Sequence, residues 1–436
     1  MNDMAGTVIL GGGVSGLACG LASGGVVLEA RDFPGGICAS YYLAPESDQP
    51  YRESSHRERT FRFERGGGHW IFGGDPVVLV FLQKLTPCRR YTRNSAVYFR
   101  QWDLFVPFPL QNHLHALPRE ARIRALDEIV ARAHAVETPQ TMAEFLENAF
   151  GPTLCELFFF PFHELYTAGL YRRIAPQDSY KTPVSLPAVL RGALGEPMPA
   201  GYNQTFLYPA PGLDSLVGKL AERCQIRYEA LVTGIDLEER VVTLEQGAPV
   251  RFEKLVSTLP LSVTLSLAGL NTSTQADPAT AVFVVNVGGI QGKNCPPYHW
   301  VYFPSSKTGF HRVGFYSNVE RGFLPARGGD PLVSMYIERS FLPENLPPEK
   351  EQAKLAAAMV EEVVELGYLA EPLVVHWNTI PIAYTWKWPN SSWQKEAQEL
   401  LLSNGIIPLG RFGRWNFQGI AESIGQGLMA GASLRR

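Results

Sequence analysis

The stretch Thr7-Val-Ile-Leu-Gly-Gly-Gly-Val-Ser-Gly16 decides the fold. It is continued by Leu17-Ala-Cys-Gly-Leu-Ala22 and, past Gly24-Gly25, by Val26-Val-Leu-Glu29. The order is strand, G-x-G-x-x-G turn, small-residue helix, second strand and acid. Gly11 permits the tight turn, Gly13 lets the backbone approach a pyrophosphate, and Gly16 lets helix pack closely on strand. Val14 and Ser15 open the helix, whose free amides and partial positive charge suit phosphate. Glu29 at the strand tip can bind both ribose hydroxyls. A glycine turn alone also occurs without a ligand; strand, helix and acid together point to a dinucleotide.

Composition bounds the rest. With 436 residues and 45% hydrophobic content the chain can bury a large core, so disorder is excluded and two to four structural units are expected. Thirty-nine basic and 42 acidic residues leave a net charge of −3. No cationic run is present, which argues against nucleic acid as a partner. No apolar run is long enough for a membrane span, and the N-terminus lacks the basic start of a signal peptide, so a cytoplasmic location is expected. The six cysteines are scattered without a C-x-x-C pair, and the nine histidines lack metal-ligand spacing, so no metal is expected.

Along the chain, residues 41–62 are polar and read as a surface insertion reaching to the Phe61–Phe72 segment. Residues 95–107 read as strands. Pro118 opens a helix with Leu126, Ile129, Val130 and Ala133 on one face, and Thr141-Met-Ala-Glu144 is a capping box for the next, with Phe145, Leu146 and Phe150 inward. Asp214 is a candidate helix cap before Leu216, Val217 and Leu220. Short strands are expected at 226–235, 240–245 and 250–258. The expected fold class is α/β: a Rossmann-type dinucleotide-binding domain, which the resemblance described next makes FAD-binding, with an inserted helical domain and an antiparallel β-sheet domain. The expected boundaries are 1–90, 205–275 and 400–436 for the first, 110–190 for the helices, and 91–109 with 276–399 for the sheet.

After Glu29 come Ala30-Arg31 and then Pro34-Gly35-Gly36. This E-x-R…G-G continuation resembles the two-dinucleotide-binding flavoproteins, whose first Rossmann unit holds the ADP half of FAD. Four further segments extend the likeness: Gly67-Gly-His-Trp-Ile-Phe72; Val106-Pro-Phe-Pro-Leu-Gln-Asn112; Trp300-Val-Tyr-Phe-Pro304 with Phe310-His-Arg312; and Gly410-Arg-Phe-Gly413. In this order, from Val8 to about Gly431, with gaps at 41–60 and around 190–200, the chain resembles the UDP-galactopyranose mutases, in particular the eukaryotic-type branch.

That resemblance implies FAD in its reduced form as cofactor. It implies a nucleotide-sugar substrate whose pyranose and furanose forms are interconverted with reduced flavin N5 as nucleophile. It places Gly68 and His69 against the flavin and Val232, Gly410 and Ser423 on the cofactor, beside Gly11, Gly13, Val14, Ser15, Gly16, Glu29, Ala30, Arg31, Gly35 and Gly36. Arg312 and Arg411 become the diphosphate clamp and, with His69, the catalytic set; arginine suits the task because it stays charged and grips phosphate bidentately. Phe108 and Gln111 would take the uracil, Trp300 and Tyr302 the sugar, and Tyr384, Lys181 and Phe417 complete the substrate site.

The pattern also departs from the family. Val319 and Phe417 stand where the branch has tyrosines on the diphosphate, and Ala421 stands where the family has an acid near the flavin. These changes put the substrate in question more than the fold. The runner-up function is a flavin-dependent oxidase or desaturase of the wider amine-oxidase-like superfamily, and a third is a non-catalytic sensor of nucleotide sugars. The sugar, the reductant, gating by 41–60 and the oligomeric state, including a homo-oligomer, stay open.

Overall fold

The fingerprint folds as its pattern dictates. Ala5–Leu10 is a strand, Val14–Ser23 a helix, and Val26–Leu28 a parallel strand beside the first. The computed structural model describes residues 5–47, 49–51, 58–132, 138–177, 184–198, 203–326 and 331–435. In it these elements belong to a seven-stranded sheet ordered Gln225–Arg227, Val26–Leu28, Ala5–Leu10, Val250–Ser257, Val241–Leu244, Val232–Asp236, with Ile406–Pro408 also on Val250–Ser257. The first four strands and Ile406–Pro408 are parallel, and Val232–Asp236 with Val241–Leu244 forms an antiparallel extension. Val8, Ile9, Leu10, Val27, Leu255 and Val256 are fully buried, as expected of parallel strands covered on both faces.

Helix Ile420–Leu434 packs along Val14–Ser23 at very short range. A Cβ on Gly427 would lie 2.4 Å from the Ser15 carbonyl oxygen, and one on Gly431 2.4 Å from that of Cys19. Glycine at these two positions is what lets the helices touch backbone to backbone.

A second seven-stranded sheet runs Leu369–Thr385, Ala279–Gln291, Leu332–Phe341, Arg312–Phe315, Trp300–Tyr302, Ser95–Phe99, Leu104–Pro107. It is antiparallel except between Trp300–Tyr302 and Ser95–Phe99. Helices Arg119–Arg132, Met142–Leu154, Phe160–Tyr166 and Leu186–Ala193 share a core with its far end, where Phe150 stacks on Phe159 at 3.9 Å. The architecture is the expected one: a Rossmann-type sheet, an inserted helical region and an antiparallel sheet. The Thr141–Glu144 capping box is formed, and Leu146 and Phe150 are buried.

Three local expectations are corrected. Residues 41–62 are not a plain surface insertion: Ser40–Leu43 pairs with Phe61–Glu64, and Tyr41, Tyr42, Leu43, Phe61 and Arg62 are all buried. Asp214 is not a helix cap. Gly212 holds that place at φ +117°, and Asp214 sits in the first turn, where its carboxylate accepts the Tyr42 hydroxyl at 2.7 Å. In Arg119–Arg132 the buried stripe is Ala121, Ala125 and Ile129, spaced by four, which turns Val130 outward at 45% exposure; Ala133 lies outside the described residues.

Candidate active site

A cavity of about 560 Å³ lies where the Rossmann-type sheet, the second sheet and the segment after Gly410 meet. One end of it is backbone. Gly11, Gly13, Val14 and Ser15 line it at the start of the fingerprint helix. A Cβ on Gly13 would meet nothing within 4 Å, so open space adjoins the bare chain. Gly16 does not line the cavity but closes the turn behind it: its Cβ would fall 1.9 Å from the Gly11 carbonyl oxygen. Glu29 is on the wall with its carboxylate fixed, accepting from the Gly12 amide at 2.8 Å and the Arg31 amide at 2.9 Å. Gly35 and Gly36 continue the rim.

The other end is built from side chains on distant elements. The turn after Phe61–Glu64 brings Gly66, Gly68 and His69 to the wall. Its glycines are required by the second sheet beneath: a Cβ on Gly68 would sit 2.1 Å from the Tyr336 hydroxyl, and Gly67, at φ +78°, would meet the Glu338 carboxylate at 2.5 Å. His69 is neutral. Burial, then the charges of Arg411 and Arg312, push it down to about 4, against a 3.4 Å contact of Nδ1 with the Gly67 carbonyl oxygen. With its proton on Nδ1, Nε2 is an acceptor.

Arg312 and Glu338 are direct cross-strand partners. Arg312 Nε donates to Glu338 Oε2 at 2.6 Å, and Nη2 reaches the same oxygen. Burial opposes the guanidinium charge, but Glu338, with Tyr384, Tyr336 and Tyr302 behind it, holds Arg312 well above the ordinary range. Burial raises Glu338, and Arg312 counters it. Arg411 stands on the short helix Gly410–Gly413, donates to the Ala383 carbonyl oxygen at 2.9 Å and lies 4.5 Å over the Phe417 ring. Gly410, at φ +76°, abuts Ser15: a Cβ there would be 2.4 Å from its Oγ, so this helix is set directly against the fingerprint turn.

Of the residues expected at the site, the cavity brings together Gly11, Gly13, Val14, Ser15, Glu29, Gly35, Gly36, Gly68, His69, Arg312, Tyr384, Gly410, Arg411, Phe417 and Ser423. Ala30 and Arg31 are exposed, and the Arg31 guanidinium lies over Phe33 instead. Val232 is half-buried in the antiparallel extension and is not on the wall. Trp300 is buried against Phe72 and Phe206 and is also off the wall. Phe108 and Tyr302 are one step removed. Their rings are 4.9 Å apart, and an aromatic row through Phe162 and Tyr166 leads from them to Tyr384. Gln111 is fully buried in a one-turn helix beyond Phe108. Lys181 lies outside the described residues. Val319 sits in an aromatic core, not on the wall. Ala421 is buried against Gly74, and its neighbour Glu422, which holds the Gly419 amide at 2.9 Å, is on the wall.

Sequence reading missed Glu338, Tyr336, Glu422 and the group behind the turn. In that group Glu64 accepts from Ser40 Oγ at 2.7 Å and from the Tyr208 hydroxyl, and burial, against the opposing charge of Arg62, pushes it up to about 7. The one available signal was weak: Glu338 directly follows the mostly apolar stretch Val333–Ile337, but with Arg339 beside it.

Residues 25–282 match the model of the family described as flavin containing amine oxidoreductase. The chain belongs to the flavin-containing amine oxidoreductase family. It is a flavin-dependent enzyme of this superfamily. A reduced UDP-galactopyranose mutase is similar in fold, with a TM-score of 0.84 at 21% identity over 98% of this chain and 95% of that one. Cyclohexylamine oxidase from Brevibacterium oxydans gives 0.62 at 13% identity, covering 99% of each chain. A putrescine oxidase variant gives 0.59 at 14%, also over 99% of each. The cavity has room and chemistry that fit the family's cofactor: the bare backbone at Gly13 and the fixed Glu29 carboxylate suit a nucleotide, and His69 and two arginines line the same space.

Proposed function

We propose that this family member is an FAD-dependent mutase interconverting the pyranose and furanose forms of a UDP-sugar, UDP-galactose-like, and active with reduced flavin. The observation that carries the reading is the convergence of Arg312 and Arg411 on one neutral histidine, His69, on the wall of the same cavity. Two fixed cations suit a diphosphate leaving group, and an amine substrate has no use for them. The likeness in fold to the mutase supports it.

In this reading residues 1–90, 205–275 and 400–436 hold FAD, with Glu29 on the ribose and the Val14–Ser23 helix start on the pyrophosphate. Ala30 and Arg31 would border the adenine side, and Val232, off the wall, would not touch it. Residues 110–190, and 91–109 with 276–399, hold the substrate. Bound reduced flavin supplies the nucleophile, N5, for the anomeric carbon. Arg312 and Arg411 hold the diphosphate as it leaves and returns. His69, unprotonated, accepts a hydrogen bond without adding charge. Tyr384 and Phe417 would form the substrate side of the wall, the aromatic row from Tyr302 and Phe108 would exclude water behind it, Gln111 and Trp300 would act only from that buried layer, and Lys181 would complete the set.

The test is anaerobic incubation of the flavin-loaded protein with UDP-galactopyranose, with and without dithionite, followed by chromatography. A new UDP-hexose appearing only with reductant supports the proposal. Binding of flavin without conversion of any UDP-hexose overturns it. The family and the two amine oxidases favour a second reading, an oxidase on an apolar amine facing the row from Phe108 to Tyr384. Peroxide formed from an amine in air, with no UDP-induced thermal shift, would select it.

A further inference from the structure

His311 is buried beside the site, at 1% exposure, and neither ring nitrogen has a hydrogen-bond partner among the described residues. Buried polar groups in native proteins are nearly always satisfied, so such an imidazole calls for an explanation. Its Nε2 lies 3.7 Å from Glu338 Oε2, the oxygen that Arg312 grips from the other side. Three consecutive links therefore lead out of the core: His311, Glu338, Arg312. The last two line the cavity, and Arg312 is one-fifth exposed towards it.

In this state the Arg312 charge is spent on Glu338. An anion docking on Arg312 meets a neutral pair, and its own charge then bears on a buried carboxylate. Nearby negative charge favours protonation of both carboxylate and imidazole. We propose that His311 and Glu338 together take up one proton when an anionic ligand docks on Arg312, so that the arginine's charge passes from Glu338 to the ligand. The proton comes from the buffer acid in solvent, whose conjugate base stays there, and is carried on either His311 Nε2 or Glu338 Oε2; no bond other than this proton's is made or broken. His311 thus acts through Glu338 as a positioning residue. The idea rests on the reading of Arg312 as an anion-binding group.

The surroundings leave this pair as the proton acceptor. Tyr316, Tyr336 and Tyr384 are raised by burial and stay neutral, and Tyr302 faces Arg312. Phe162 and Tyr166 cover the His311 ring at 6.1 and 5.4 Å. Of the other charged groups nearby, Arg312 and Arg411 are permanent, His69 is held neutral first by burial and then by both arginines, and Glu64, raised by burial to about 7, is present in the wild type and in a His311→Gln variant alike, so the comparison cancels it. Before ligand arrives, His311 is lowered by burial and by Arg312 and is neutral, while Arg312, donating to Glu338 Oε2, opposes the burial that raises that carboxyl and keeps it in an ion pair.

The experiment is calorimetric titration of the flavin-loaded protein with UDP, and separately with inorganic pyrophosphate, near pH 7 in two buffers of different ionisation enthalpy. His311→Gln is measured alongside, so that proton exchange by the ligand itself cancels. The proposal expects the wild type to take up on the order of one proton more than His311→Gln. It also expects wild-type affinity to fall as pH rises through neutrality, by at most about tenfold per unit for one linked proton, while the variant's affinity stays flat relative to it. Glu338→Gln, which also removes a titrating group, gives the same loss of uptake independently. Equal uptake in wild type and both variants overturns the proposal. Pyrophosphate binding with the expected uptake but no UDP binding would remove the UDP-sugar reading and leave this inference standing; binding of neither ligand would overturn both.

Discussion

The two ends of the cavity are built by opposite strategies. At the fingerprint end the ligand-facing groups are main-chain amides and missing side chains, all within about thirty residues, plus one carboxylate tied to two amides. At the arginine end the groups are side chains: a neutral imidazole on the turn at His69, and the guanidinium groups of Arg312 on a strand and Arg411 on a short helix, the two arginines held by partners 26 and 28 residues away. A backbone site is specified by a motif and tolerates no added atom. A side-chain site is specified by strand register and fails when a partner is removed.

Mutations at each end test this contrast. Gly16→Val should be the most damaging, because the new Cβ falls 1.9 Å from the Gly11 carbonyl oxygen. Overpacking of this kind costs about 3 kcal/mol or more, and we expect the protein to lose flavin on gel filtration and to melt early. Arg312→Ala strips Glu338 of its ion-pair partner, and stranding a buried charge costs roughly 3–5 kcal/mol. The upper figure will not be reached here, since Glu338 is already raised and can take a proton. Denaturant titration should show Arg312→Ala/Glu338→Ala losing less stability than the sum of the two single variants; a strictly additive double variant would break the idea that the pair acts as a unit. Arg411→Ala should keep its flavin yet bind UDP less well by about 1.5–3 kcal/mol, the range for a hydrogen bond to a charged group, read by thermal shift or calorimetry.

Glu64 sharpens the contrast by pH. Its folded-state value of about 7 lies above the ordinary 4.5, so its contribution to stability is full below 4.5 and is lost as pH rises through about 7. Glu64→Gln, unable to ionise, should therefore gain on the wild type as pH rises from about 5 to 8, by about 1–3 kcal/mol at about 1.4 kcal/mol per pKa unit. Melting curves that stay parallel across that range would show that the carboxylate titrates normally. The smallest effect is expected from Val232→Ala, off the cavity wall: flavin affinity should change less than about twofold, as is usual away from packed or bonded positions.

The same contrast explains what could be read beforehand. The Rossmann unit was legible because its chemistry is local: strand, glycines, helix and acid occur in one run, and nearly all of those residues lie where their spacing put them. His69, Arg312 and Arg411 were legible only through the order of segments shared with a known family. Glu338 was not legible, because it faces Arg312 through an antiparallel register across 26 residues that no local pattern encodes. Asp214 was misread as a cap because its local pattern is right; Tyr42, 172 residues away, takes its carboxylate instead. The segment 41–62 was misread because its polar middle hides two buried strand ends.

The contact of Ile420–Leu434 with the fingerprint helix has a consequence for how the protein is made. The strands at 5–10 and 406–408 flank the same central strand, and Gly410 and Gly427 both press on Ser15. On a ribosome, domains fold as they emerge, but here the fingerprint turn gains its last wall only when residues beyond 400 have emerged. Until then the earliest-made motif waits beside an open edge. If the cavity takes flavin, its capture waits for the segment after residue 400, and a chain stalled before residue 410 is expected to be unable to turn yellow.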